Sequence, residues 1–152
     1  MNDTRSIDAI IHALYDTISG PAGQERDWDR FASLFFPGAR LVRTSVAPDG
    51  TSQASAMDVQ AYQEDTASYF RTESFHEKEI ARRTELFGNI AHVFSTYEAR
   101  HQPDDAQPFK RGINSIQLFN DARRWWVVSV LWDNEREGNP IPAQYLPGTP
   151  LS

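Results

Sequence analysis

The chain has 152 residues, 39% of them hydrophobic and 24% charged, which fits one globular domain over residues 1–152 with enough apolar side chains for a core. Its net charge of −6 at pH 7, without a marked cluster of Lys and Arg, argues against binding to nucleic acid or to an anionic membrane. Cysteine is absent, which excludes disulfides, thiolate catalysis and zinc–thiolate sites. We therefore expect small molecules and proteins as partners.

The N-terminal segment is predicted to be an amphipathic helix. Apolar residues recur every three or four positions over residues 7–18, and Asp3 or Thr4 is a suitable N-cap. The segment contains no continuous apolar stretch suited to a signal peptide or a membrane span. We therefore expect a cytoplasmic protein.

The next fifty residues are predicted to hold two more helices and a strand. Asp27 is a plausible N-cap for a second helix that ends before Pro37-Gly38. Residues 40–46 are typical of a short strand, and a polar stretch then leads to a third helix, roughly residues 56–70.

Residues 73–135 indicate four long β-strands in two hairpins. The first hairpin turns at Gly88-Asn89, which places His76 opposite His101. The other face would place Glu79 opposite Glu98, and burying that pair costs several kcal/mol, so we expect the first face to point inward. A one-residue bulge would reverse the far half of this assignment. The face expected to point inward comprises His76, Lys78, Ile80, Arg82, Ser95, Tyr97 and His101.

The second hairpin, around residues 120–123 with Phe119 opposite Arg124, is apolar on both faces. It carries three tryptophans in eight residues, and such large side chains are costly to leave in water. We expect helices to cover one face and a second subunit the other, giving a homodimer through the sheet. The Pro-rich segment 138–152 is predicted to be an extended tail.

The order of elements, the run Asp27-Trp28-Asp29-Arg30-Phe31 and the pair Trp125-Trp126 resemble the nuclear transport factor 2-like superfamily, in an uncharacterised SnoaL-like branch. The resemblance implies an α+β fold in which a cone-shaped, strongly curved antiparallel sheet packs against three N-terminal helices and encloses a small-molecule pocket. The members of this superfamily differ in function, so the fold alone does not identify a reaction.

A partial resemblance to scytalone dehydratase rests on Tyr15-Asp16 and on the Asp-Trp-Asp-Arg run that begins at residue 27. It implies a histidine held by Asp16 as the acid–base group, with Tyr15 or Tyr97 polarising a carbonyl through water. A resemblance to ketosteroid isomerase is weaker, because Arg43 would take the position of that enzyme's base and an arginine cannot abstract a proton.

The candidate site residues follow from the hairpin register and from these resemblances. No cofactor motif and no recognised metal-ligand spacing is present. The catalytic candidates are His76, His101, Tyr97 and Asp16, and the ligand-binding candidates are Tyr15, Trp28, Arg43, Arg82 and Asn114.

Each candidate also has a structural interpretation. The two histidines could be half solvated at the open end of the sheet, Tyr97 could be a core aromatic residue, and Trp28 a core residue. Arg82 requires a carboxylate, either Asp16, Asp29 or an anionic substrate.

Two functions remain open at this point. The first is a cofactor-independent lyase or isomerase, similar to a dehydratase or a cyclase, that acts on a small cyclic or polyketide-like substrate. The second is a non-catalytic dimeric binding or assembly module. A histidine with a perturbed titration would favour the first function, and a filled interior would favour the second.

Overall fold

The computed structural model describes residues 2–148, which form three α-helices and a six-stranded sheet. The helices are α1 (Ile7–Ile18), α2 (Trp28–Ala32) and α3 (Val59–Thr72). The strands are β1 (Phe35–Val46), β2 (Ser52–Met57), β3 (His76–Phe87), β4 (Ile90–Arg100), β5 (Lys110–Asn120) and β6 (Trp125–Asn134), and a 3₁₀ turn spans Ala143–Tyr145.

The sheet has the strand order β2-β1-β6-β5-β4-β3 and is curved but not closed. The expected α+β fold with a curved sheet against three helices is confirmed. The sheet is mixed, however, because β1 runs parallel to β6 while every other neighbouring pair is antiparallel. We call the helix-facing side of the sheet its inner face and the opposite side its outer face.

The helices begin at side-chain caps. Ser6 caps α1 in place of the expected Asp3 or Thr4, accepting a hydrogen bond from the amide of Ala9 at 3.0 Å. Asp27 caps α2 as expected, accepting from the amide of Arg30 at 3.0 Å. Within residues 2–148, no helix combines the length and the apolar character needed to cross a membrane.

The polar stretch before α3 forms an edge strand that the sequence analysis missed. Residues 52–56 pair with β1 while remaining exposed, and only Met57 is buried. A strand that gains hydrogen bonds without burying side chains has no apolar alternation to predict it. For the same region, α2 is shorter than expected, and Pro37-Gly38 lies within β1.

A bulge at Ile80 changes the far half of the first hairpin. The register is the expected one from Phe87–Ile90 to Ala81–Thr96, and it then shifts by one residue. The predicted pairing of His76 with His101 is therefore wrong, since His76 lies opposite Arg100. The shift also brings Glu77, expected on the outer face, onto the inner face opposite Ala99.

The second hairpin also differs from its predicted register. Asn120 lies opposite Trp125, and a second shift occurs at Val128. Because of this bulge, Val130 and Trp132 lie on the inner face together with Trp125. In an unbroken strand, Val130 and Trp132 would lie on the face opposite to Trp125.

The C-terminal segment crosses the outer face of the sheet. Ile141 is buried, and Thr96 Oγ1 donates a hydrogen bond to the carbonyl of Tyr145 at 2.7 Å. The ring of Tyr145 packs on Phe94 with 5.1 Å between centroids. The segment is therefore anchored and contains a helical turn, rather than being extended throughout; residues 149–152 of the predicted tail lie outside the described residues.

Candidate functional site

A cavity of about 450 Å³ lies between the inner face of the sheet and the helices. Its walls are mainly aromatic and aliphatic, a surface suited to a flat apolar ligand. Aromatic side chains that contribute include Phe31, Phe70, Phe75, Phe109 and Trp132. Polar residues also reach it from α1, α3, β3, β4 and β5, among them Tyr15, Tyr62, Glu77, Tyr97, Lys110 and Asn114.

Glu77 contributes a carboxylate to the cavity wall, and the bulge at Ile80 turns it inward. Among residues 2–148, no group donates a hydrogen bond to its carboxylate, and no Lys or Arg lies within 4.0 Å of it. Burial raises the pKa of Glu77 to about 7, and the positive charge of Lys110 opposes that rise only in part. At neutral pH this carboxyl group can therefore either accept or donate a proton.

Lys110 stands in the same row of the sheet as Glu77. Ala99 lies between them, opposite Glu77 on one side and opposite Lys110 on the other. Neighbouring strands are about 4.8 Å apart, so the two backbones are separated by roughly 10 Å across a small side chain. Lys110 Nζ is 5.5 Å from the centre of the Phe75 ring. Burial lowers the pKa of Lys110, Glu77 raises it, Arg43 lowers it further, and the net change is downward.

Tyr62 brings a phenol to the cavity from α3. Its side chain is buried and stacks on Phe31 with 5.4 Å between ring centroids. Within the described residues, its hydroxyl has no hydrogen-bond partner. Burial, reinforced by Glu77, raises the pKa of Tyr62, so the phenol stays protonated and can donate to a ligand.

Tyr15 has its hydroxyl committed to a hydrogen-bond network. Ser95 Oγ is 2.7 Å from Tyr15 and donates to Glu79 Oε2 at 2.5 Å, because a carboxylate only accepts. The Tyr15 hydroxyl must then donate to Ser95, and it accepts from Asn114 Nδ2 at 3.0 Å. Tyr15 and Asn114 thus line the cavity, and the Tyr15 hydroxyl donates its hydrogen bond to Ser95 rather than to a ligand.

Tyr97 is held in a similar way. Its hydroxyl donates to Asn134 Oδ1 at 2.5 Å, and burial raises the pKa of Tyr97. The ring fits because Gly112 lies opposite it, where a Cβ atom would stand 2.2 Å from the Tyr97 hydroxyl. Tyr97 therefore lines the cavity as a wall residue whose hydroxyl is occupied.

Arg43, the remaining ligand-binding candidate on the cavity wall, pairs with Asp65 of α3. Arg43 Nη1 is 3.0 Å from Asp65 Oδ2, and the guanidinium lies 5.6 Å from the centre of a Trp132 ring. Both charged side chains are partly exposed, which places the pair between cavity and solvent.

Three of the four catalytic candidates lie outside the cavity. His101 is exposed and stacks on Phe109 with 4.0 Å between centroids. His76 is partly buried, and burial together with the nearby Arg26 lowers its pKa. Asp16 is exposed and pairs with Arg30 at 2.6 Å, so it does not hold a histidine.

Two ligand-binding candidates also lie elsewhere. Trp28 is partly buried against the core, packing edge-on against Phe31 and stacking on Phe70 with centroid distances of 5.5 and 6.2 Å. Arg82 binds Glu79 at 2.7 Å and also contacts Asp8, rather than Asp16 or Asp29. In residues 2–148, no group of three His, Asp or Glu residues could hold a metal ion.

The sequence analysis missed Glu77, Lys110 and Tyr62 as site residues. Glu77 was missed because of the bulge in β3, since strict alternation along an unbroken strand assigns it to the outer face. The signal that could have found it is the pair Glu77 and Glu79, two acids at alternate positions in a strand that must bury one face.

Comparisons with known proteins show the fold. No family model matches the chain, and no curated protein is similar to it in sequence. Solved structures match along most of its length. A protein of unknown function from Mycobacterium tuberculosis is 15% identical, with a TM-score of 0.65 over 91% of this chain and 76% of the other. A nuclear transport factor 2-like protein of unknown function from Silicibacter pomeroyi is 14% identical, with a TM-score of 0.52 over 85% and 92%.

The chain has the nuclear transport factor 2-like fold. A protein from Nostoc punctiforme that is described as having a cystatin-like fold matches as well, with a TM-score of 0.64, 9% identity and coverage of 95% and 91%. Identities this low establish the nuclear transport factor 2-like fold alone, so the function of this chain must be argued from its own cavity.

Proposed function

We propose that the protein binds a small cyclic molecule in the cavity and transfers protons on it, as a cofactor-independent isomerase or lyase. Glu77 is the acid–base group, and Tyr62 donates a hydrogen bond to the oxygen that gains negative charge. The observation that carries the proposal is a carboxyl group without a partner, with its pKa raised to about 7 by burial, in an apolar cavity.

The chemistry requires one carbonyl on the substrate. The Glu77 carboxylate removes a proton from the carbon next to the carbonyl, and the electron pair moves to the carbonyl oxygen. Tyr62 stabilises the resulting enolate through its O–H group. In an isomerase, protonated Glu77 returns the proton to another carbon; in a lyase, it protonates a departing hydroxyl group, which leaves as water.

The size and lining of the cavity set the class of substrate. A volume of about 450 Å³ lies within the range of about 300–1,000 Å³ usual for small-molecule sites. The rings of Phe75, Phe109 and Trp132 line the cavity and offer apolar contact surfaces for a planar ligand. A molecule of one or two rings fits these limits better than a long or strongly charged one.

Hydrogen exchange into simple cyclic ketones tests the proposal. We expect the protein to accelerate deuterium incorporation next to the carbonyl of 2-tetralone in D₂O, followed by ¹H NMR. Glu77→Gln should lower the rate by about 10²–10⁴-fold, the usual contribution of general acid–base catalysis. Glu85→Gln, on the same strand but with an exposed side chain, is the matched control and should keep the rate. The proposal fails if the wild-type protein accelerates exchange in neither 2-tetralone nor cyclohexanone, or if Glu77→Gln exchanges as fast.

An assembly role is the second candidate, and it is supported by apolar side chains on the outer face. Leu131 on β6 is 45% exposed and Val46 on β1 is 41% exposed, and both border one groove there. We propose that a second copy of the chain occupies this groove, giving a cytoplasmic homodimer through the sheet. The dimer and the enzyme are compatible, because the groove and the cavity lie on opposite faces.

A further inference from the structure

The chain contains two lysines, and they occupy contrasting environments. Lys78 on β3 is exposed to solvent. Lys110 on β5 is partly buried in the cavity wall. Among the described residues, no carboxylate lies within 4.0 Å of Lys110 Nζ and no group accepts a hydrogen bond from it. The ammonium lies over the face of the Phe75 ring, 5.5 Å from its centre.

The surroundings of Lys110 favour its neutral amine form. An apolar wall disfavours the ammonium, and a second cation, Arg43, has the same effect. Glu77 acts in the opposite direction, but its own carboxyl is close to half protonated at neutral pH. A lysine desolvated in an apolar pocket beside another cation is a recognised way to make an amine nucleophilic.

We propose that Lys110 forms an imine with an aldehyde or ketone bound in the cavity. This inference deepens the proposed function by giving Lys110 a covalent role in the reaction, and it rests on that function for the presence of a small carbonyl ligand. It requires no cofactor, because the amine and the acid–base group both belong to this chain.

The reaction balances with the groups present. The amine nitrogen attacks the carbonyl carbon, a C–N bond forms, and the carbonyl electron pair moves to oxygen, which takes a proton from Glu77. The nitrogen loses a proton to the Glu77 carboxylate, and the hydroxyl group then leaves as water after protonation by Glu77. The net change converts the neutral lysine amine, a carbonyl and the protonated Glu77 carboxyl group into a protonated imine, one water molecule and the Glu77 carboxylate.

The row Glu77–Ala99–Lys110 suits this chemistry. The two functional groups flank the small Ala99 side chain, so a carbonyl above Ala99 can meet the amine from one side and the carboxyl from the other. A protonated imine withdraws electrons more strongly than a carbonyl, which makes removal of the adjacent proton by Glu77 easier. The imine on Lys110 would then accept the electron pair that the proton leaves behind. Without the imine, that charge would be stabilised only by the hydrogen bond from Tyr62.

Reductive trapping tests the imine directly. The full-length protein is incubated with 2-tetralone or benzaldehyde and sodium cyanoborohydride, digested, and mapped by mass spectrometry. We expect alkylation of Lys110 to be at least about tenfold faster than that of Lys78, which serves as an internal reference in the same molecule. Lys110→Arg should abolish the trapped product in the cavity, and Lys78→Arg should leave it unchanged. Equal labelling of both lysines, or faster labelling of Lys78, would overturn the inference even if the Lys110 variant did not fold.

The outcomes separate this inference from the proposed function. Trapping at Lys110 without accelerated deuterium exchange would support the imine and count against the isomerase or lyase. Accelerated exchange that persists in Lys110→Arg, with no preference for Lys110 in trapping, would support the proton-transfer function and overturn the imine.

Discussion

Glu77 couples the stability of the fold to pH. Its pKa is about 7 in the folded chain against an ordinary value of 4.5, so the protonated form is favoured by folding. This contribution is complete below about pH 4.5 and is lost as the pH rises through 7, amounting to about 3 kcal/mol. We expect Glu77→Gln to be more stable than the wild type at pH 8 and nearly equal to it at pH 4, as measured by urea unfolding.

Glu79 provides the control for this experiment. Its carboxylate accepts hydrogen bonds from Ser95 and Arg82, so removing its charge should destabilise the fold at pH 8. If Glu77→Gln and Glu79→Gln changed the free energy of unfolding in the same direction at pH 8, our account of Glu77 as a partly buried acid without a partner would be wrong.

Two tyrosines of the cavity should respond differently to loss of their hydroxyl groups. Tyr62→Phe removes a donor that is free for the ligand, and we expect the exchange rate to fall by about 10²–10³-fold. Tyr15→Phe leaves Asn114 Nδ2 without its acceptor and Ser95 Oγ with only Glu79 as a partner, which should cost about 1–3 kcal/mol of stability while largely preserving the rate. Rate and urea unfolding measured on both variants check this, and a larger rate loss in Tyr15→Phe would reverse the assignment.

At the level of elements, Arg26 stabilises the segment between α1 and α2 by hydrogen bonds to its backbone. Its buried guanidinium donates to the carbonyls of Ile18 and Gly20 at 3.0 and 3.1 Å, and to two further carbonyls in the same loop. It also lies 4.2 Å from the centre of the Phe70 ring. A cation at the C-terminal end of α1 interacts favourably with the helix dipole as well.

Replacing Arg26 should therefore destabilise the protein. We expect Arg26→Met to lose roughly 2–4 kcal/mol, because several buried carbonyls lose a charged donor at once. Arg71→Met, at an exposed position of α3, is the matched control and should stay within about 0.5 kcal/mol of the wild type. Thermal unfolding of both variants measures the difference, and similar melting temperatures would contradict the role of Arg26.

Local patterns predicted most of the elements but not where the strands bend. The turn at Gly88-Asn89 and the register beside it follow from local turn chemistry. The bulges at Ile80 and Val128 arise where the sheet curves around the helices, and that curvature depends on contacts between distant parts of the chain. Each bulge places cavity-lining side chains on the face opposite to the one that strict alternation predicts.

The sequence likewise predicted some residues of the candidate site correctly and misplaced others. Tyr15, Arg43, Tyr97 and Asn114 were predicted site residues that do line the cavity. The inward orientation of His76 depended on an unbroken strand, and one extra residue in β3 was enough to remove it.

For the whole molecule, the assembly proposal predicts that the outer face of the sheet forms the contact between two copies of the chain. Leu131 lies exposed in the groove, whereas Leu86, 63% exposed, lies near the tip of the first hairpin. We expect the wild type to sediment as a dimer at micromolar concentration, Leu131→Glu to shift it to monomer, and Leu86→Glu to leave the dimer intact. A wild-type monomer at that concentration would count against the assembly proposal.

The titration of Glu77 tests the central claim most directly. In protein labelled with ¹³C at glutamate side chains, the Glu77 carboxyl resonance is assigned by its absence from Glu77→Gln and followed from pH 4 to pH 9. A partly buried carboxyl group without a partner in the cavity should titrate with a midpoint of about 7. A midpoint near the ordinary value of 4.5 would show that Glu77 is solvated or paired, and would contradict its role as the acid–base group.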